Sequence, residues 1–177
     1  PKAQSPKPKA RSPEPITMEY RISASATVNA VAPTVYAIIA DYRDGHRRIV
    51  PPKYFKWLQV EEGGAGAGTR IRFAMRVLGT SQELRAVITE PEPGRVLVET
   101  YPDTGNVTTF TVEPAGNSST RVTIDTVMRT RGGVAGFIER FLLTRLLRTA
   151  YQQELNRLAD IAEGRREHAP IPANPGT

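Results

Sequence analysis

Cysteine is absent from the 177 residues, which excludes disulfide bridges, cysteine-ligated zinc and thiol nucleophiles together. Histidine is scarce: His46 and His168 are the only two. Neither stands in an HExxH or a two-histidine-plus-carboxylate spacing, so neither a metal site nor a cofactor is expected. No stretch approaches the roughly 18 to 20 apolar residues of a membrane span, and no apolar segment follows the basic first residues as a secretory leader would require. A soluble, cytoplasmic protein is the expectation. The glycine-rich GGAGAG at 63–68 lacks GxGxxG and GK[ST], and a strand pattern rather than a helix follows it, so it reads as a hairpin loop and not as a phosphate cradle. Ser118 and Ser119 lie in a turn without a nucleophile-elbow sequence, which leaves serine hydrolysis unsupported.

What is present begins with an excess of base: 24 Lys and Arg against 18 Asp and Glu, a net charge of +6. Much of that excess sits at the ends. Lys2, Lys7, Lys9 and Arg11 face only Glu14 in residues 1–17, a segment that also holds Pro1, Pro6, Pro8, Pro13 and Pro15. Residues 164–177 repeat the pattern with Arg165, Arg166, Pro170, Pro172 and Pro175. Both ends read as disordered, polyproline-leaning tails around one folded domain at 18–163. Within the body, Arg43, Arg47, Arg48, Lys53 and Lys56 interleave with Tyr42, Tyr54, Phe55 and Trp57, a mixture that nucleic-acid binders use. Three of those aromatics fall in an expected strand where packing accounts for them, so nucleic acid is not an expected partner.

Period-2 alternation marks Tyr20–Val28 as a half-buried strand, with Tyr20, Ile22, Ala24, Ala26 and Val28 on one face. Pro33 then opens a short helix that runs toward Gly45, with a further turn toward Pro51. Six strand candidates follow, at 54–62, 69–78, 81–90, 95–101, 106–114 and 119–130, separated by Gly- and Pro-rich turns short enough for hairpins. After Gly132 and Gly133 comes a proline-free helix of about 30 residues, long enough to span about 45 Å. Its expected inward stripe is Phe137, Phe141, Tyr151, Leu155, Leu158, Ala159 and Ala162. The order predicts an α+β fold: a curved antiparallel sheet of about seven strands wrapped around a long C-terminal helix, with short helices after strand one.

The run ATVNAVAPTVYAIIADY, the segments GAGTRIRF, ELRAVITEPEPGRVLVE and TTFTVEPAGNSSTRVTI, and the closing helix ending in ELNRLADIAE together resemble the START-related superfamily, the helix-grip or birch-pollen-allergen-like fold. Within it the chain most resembles the polyketide cyclase/dehydrase and lipid-transport branch. The resemblance implies a hydrophobic cavity between sheet and long helix. Members use such a cavity to bind lipids, sterols or quinones or to cyclise polyketides, and fold analogy alone does not choose among these.

The expected lining is Phe73, Met75, Val98, Phe110, Val112, Ile124 and Met128 from the sheet, facing Phe137, Phe141 and Tyr151 from the helix. Arg148 falls on the inward stripe as drawn, where an unpaired guanidinium is costly. It is the expected anchor for an acidic ligand group, or else a residue paired or snorkelling at the helix edge. His46, between Asp41 and Asp44 and beside three arginines, reads as a solvated loop residue rather than a catalytic one. Leu142, Leu143 and Leu146 turn away from the stripe and suggest a transient membrane contact or a homodimer. The functional expectation is binding of a small lipid-, quinone- or polyketide-like ligand. The alternatives are a cyclase or hydratase acting in the same cavity and a protein or membrane interaction module; whether the chain is an enzyme stays open at this level.

Overall fold

The computed structural model describes residues 17–131, 134–174 and 176. The tail expected over 1–17 lies almost wholly outside them. Strand β1 (Thr17–Val28) is followed by helices α1 (Ala32–Ala40) and α2 (Gly45–Ile49). Six strands come next: β2 (Phe55–Glu62), β3 (Arg70–Val77), β4 (Thr80–Glu92), β5 (Val96–Tyr101), β6 (Asn106–Pro114) and β7 (Thr120–Arg131). Helix α3 (Val134–Ala162) closes the order. The strands form one seven-stranded sheet in the order β1-β7-β6-β5-β4-β3-β2, antiparallel throughout. Consecutive strands from β2 to β7 are neighbours because their connections are hairpins, and β1 closes the far edge against β7.

One face of this sheet is apolar. Ile22 and Val28 of β1, Ile71 and Phe73 of β3, Ala86 and Ile88 of β4, Phe110 and Val112 of β6, and Val122 and Ile124 of β7 are all buried in a single core. Helix α3 contributes Leu147, Tyr151, Leu155 and Leu158 to that core. Leu155 and Leu158 are essentially without exposure, and burying each stabilises the fold by about 1.5–3 kcal/mol.

The short helices are fastened by contacts of their connecting loops. The Asp41 carboxylate accepts from the backbone N–H groups of Arg43, Asp44 and Gly45, which sets the turn into α2. At Gly45 a Cβ would stand 2.5 Å from the Ile38 carbonyl, so only glycine lets α2 press onto the end of α1. The GGAGAG loop is packed rather than free: Gly66 N–H donates to Ala40 O at 2.9 Å and Tyr42 N–H to Gly64 O at 3.0 Å. Gly66 has φ +60°, and a Cβ there would lie 2.4 Å from the Glu90 carboxylate.

The C-terminal segment departs from the expected disordered tail over 164–177. Ile171 is 2% exposed. Its N–H donates to Arg47 O at 2.9 Å, and Leu58 N–H donates to Pro172 O at 3.0 Å. The Arg47 guanidinium grips Ile171 O, and His168 Nε2 lies 3.0 Å from Asp160 Oδ2. Composition suggested disorder because prolines and charges dominate, but the buried Ile171 side chain, the Leu58–Pro172 bond at the edge of β2 and the Arg47, Arg157 and His168 contacts seat the segment. No helix among the described residues is long and apolar enough to cross a membrane.

Candidate functional site

Between the concave sheet face and α3 lies a cavity of about 90 Å³. Its apolar wall includes Phe55, Leu58, Ile71, Phe73, Met75, Leu84, Phe110, Met128 and Leu147. At one end the wall turns polar, with His46, Glu99, Tyr101, Thr108, Thr126, Tyr151 and Glu154.

Strand β5 supplies Glu99 because its inward parity is Leu97, Glu99, Tyr101: Leu97 pairs Phe110, Glu99 pairs Thr108, and Tyr101 pairs Asn106. Glu99 is 5% exposed. Tyr42 Oη donates to Glu99 Oε1 at 2.6 Å, and Tyr101 Oη donates to Glu99 Oε2. His46 Nε2 stands 3.7 Å from Glu99 Oε1. The other ring nitrogen, Nδ1, lies 2.8 Å from the Ile39 carbonyl. A carbonyl only accepts, so Nδ1 carries the hydrogen and Nε2 is the atom turned to the carboxylate. The imidazole is clamped by the Tyr42 ring, stacked at 4.3 Å, and by the edge of Phe110 at 5.7 Å.

Glu154 comes from α3 and is 3% exposed, with Oε1 buried and without a hydrogen-bond partner. Burial, and secondarily the charge of Glu99, push its carboxyl up to about 8. Beside it Tyr151 Oη shares a hydrogen bond of 2.6 Å with Thr126 Oγ1, which in turn contacts Thr108 Oγ1 at 2.9 Å. Burial pushes the Tyr42, Tyr101 and Tyr151 phenols upward, so at this end the tyrosines act as hydroxyl donors. Two carboxyl groups, an imidazole and two phenols thus line an apolar hollow, with the Tyr42 phenol bonded to Glu99 behind them, an arrangement able to bind a donor group and to move protons.

The sequence profile described as polyketide cyclase/dehydrase and lipid transport matches residues 19–163. The chain belongs to that family. Among solved structures it is similar to the KanY protein, with 27% identity, a TM-score of 0.73, and coverage of 83% of this chain and 99% of that one. It is also similar to the Zhui aromatase/cyclase from Streptomyces sp. R1128, with 20% identity, a TM-score of 0.66, and coverage of 84% and 96%. A third is a START superfamily protein from Mycobacterium smegmatis, with 17% identity, a TM-score of 0.62, and coverage of 82% and 99%. No curated protein matches the sequence. The fold of this polyketide cyclase/dehydrase-family domain is therefore the helix-grip arrangement that the START-related resemblance implied.

Within the family domain, Phe73, Met75, Phe110, Met128 and Tyr151 stand on the cavity wall. Val112 and Ile124 are buried in the core away from the cavity lining. Val98 lies on the opposite face, paired with Thr109, because β5 turns Leu97 and Glu99 inward instead. Phe137 and Phe141 are each 62% exposed, and Arg148 is exposed beside Phe141 on the outside of α3. The anchor role expected for Arg148 does not fit that position. Of the expected inward stripe of α3, Tyr151, Leu155, Leu158 and Ala159 are buried while Phe137 and Phe141 are not, and Leu147 and Glu154 join the buried face. Leu142 is exposed, while Leu143 and Leu146 are half-buried. His46, read as a solvated loop residue, is 3% exposed and part of the wall. Glu99 and Glu154 did not figure among the expected site residues. Each stands at an inward position of an otherwise apolar period, Glu99 two residues after Leu97 and Glu154 between Tyr151 and Leu158.

Proposed function

We propose that this protein binds a small hydrophobic molecule in the cavity between the sheet and α3, with a polar group of that molecule placed at the Glu99–Glu154 end. The observation that carries the reading is the convergence of buried, chemically active groups on an otherwise apolar cavity. A solid core gains nothing from an unpartnered carboxyl, which costs stability. Affinity would come from apolar area, at about 25 cal/mol per Å² removed from water before ordering costs. A cavity of about 90 Å³ suits one ring or a short chain without rearrangement.

A second reading, a cyclase or dehydratase working in the same cavity, is favoured by the His46–Glu99–Glu154 arrangement. Glu154 in its protonated form can give a proton to a carbonyl or departing hydroxyl, while Glu99 or His46 Nε2 takes one from carbon or oxygen. Family membership and the aromatase/cyclase neighbour are consistent with either reading.

The test is mass spectrometry of an organic extract from purified protein, native against unfolded and refolded, with a Met75→Trp variant alongside. The expected result is an apolar compound carried by the native protein, missing after unfolding and from the folded variant. An unchanged load in Met75→Trp would contradict the cavity as its seat. The same preparation in D2O distinguishes the two readings, since deuterium entering the compound with wild type and not with Glu99→Gln marks proton transfer rather than carriage.

A further inference from the structure

The ionisable groups on the cavity wall are two carboxyls, Glu99 and Glu154, and the His46 imidazole; no lysine or arginine is among its described lining residues. Arg148 is on the outer surface of α3, and Arg72 is on the outer sheet face over the Trp57 ring, within reach of Glu61 and Glu83. Glu99 is already served by the two tyrosine hydroxyls on its two oxygens. Glu154 Oε1 has no hydrogen-bond partner among the described residues, although it is buried on the cavity wall.

A site so built disfavours anions, because no fixed cation would compensate a ligand carboxylate or phosphate beside two acids. It favours a ligand that brings its own positive charge. The rings of Phe73, Tyr101, Phe110 and Tyr151 line the same hollow, and aromatic rings attract cations. We propose, resting on the hydrophobic-ligand reading above, that the natural ligand is a hydrophobic amine whose ammonium group is received by Glu154 Oε1, with its apolar body along Phe73, Met75 and Phe110. Arrival of an ammonium also removes the reason for Glu154 to hold its proton, so binding releases a proton to solvent at neutral pH. Glu99 on β5, Tyr42 after α1 and Tyr151 on α3 itself interact with Glu154 in this exchange, and Tyr101 and His46 share the cavity wall with it.

The experiment is calorimetric titration of the full chain with three probes of one shape: 2-phenylethylammonium, 2-phenylethanol and 3-phenylpropionate. Each is run near neutral pH in two buffers of different ionisation enthalpy. The expected order is ammonium at least about tenfold tighter than the alcohol, with the carboxylate weakest. Ammonium binding should release a proton, and Glu154→Gln should lose both the preference and the release while still binding the alcohol. The wild-type proton count needs no variant, so the proposal is exposed even if Glu154→Gln were to fold poorly. Equal binding of ammonium and alcohol, or a ranking led by the carboxylate, overturns the amine assignment and leaves the hydrophobic-ligand reading standing. Failure of all three probes to bind overturns the amine assignment and counts against the cavity reading as well.

Discussion

A carboxyl group buried near another carboxylate, with no cation between them, keeps its proton to higher pH than in water, and Glu154 is in that position. Its folded-state value of about 8 lies above the ordinary carboxylate value of 4.5. Between those two pH values the folded chain holds a proton that the unfolded chain has released. Stability therefore falls as pH rises through that window and levels off above it. Glu154→Gln removes the titrating group while keeping its size. Denaturant unfolding of both proteins at about pH 6 and about pH 9 should show the variant gaining on wild type by a few kcal/mol at the higher pH. A constant difference across the two pH values would mean that Glu154 is solvated as an ordinary surface acid. At the same scale, the fixed tautomer of His46 and the two tyrosine donors on Glu99 keep this end of the cavity ordered before any ligand arrives.

Helix α3 shows what hydrophobic spacing conveys and where it falls short. Its length and its C-terminal half were legible: Tyr151, Leu155, Leu158 and Ala159 are buried as the spacing predicts. Its N-terminal half, VAGFIERFLLTRLL, is apolar nearly all round, so the wheel alone admits several inward directions. The structure selects Leu147 and leaves Phe137, Ile138 and Phe141 facing out. Leu147→Ala should cost about 2–5 kcal/mol of stability, whereas Phe141→Ala should stay within about 0.5 kcal/mol. Thermal or denaturant unfolding of the pair checks this directly, and the opposite order would restore Phe141 to the core. The strands were legible to within a few residues because alternation and turn chemistry agree there. The inward parity of β5 was not, since VLVETY is apolar on both faces until its partners Phe110 and Thr108 are known. Both acids of the site were hidden for the same reason: a polar residue at an apolar position identifies itself only once the period is correctly phased.

At the scale of the whole molecule, the sheet, the two short helices and the C-terminal segment combine to hold one end of the cavity rigid. Arg47 and Leu58 bind the segment around Ile171, Arg157 donates to Arg48 O, and α2 is thereby pinned with His46 facing inward. The fold class followed from element order, but this fastening did not, because its decisive contacts join residues more than a hundred positions apart. Whether the hollow under α3 is a ligand site is read out by methyl-resolved NMR of the labelled full chain titrated with 2-phenylethylammonium. Ligand in the cavity gives saturable shifts at the methyls of Ile71, Met75, Leu84, Met128 and Leu147, with the exposed Ile138 and Leu142 methyls unmoved. Shifts confined to Ile138 and Leu142, with the five cavity methyls silent, would contradict a ligand site there.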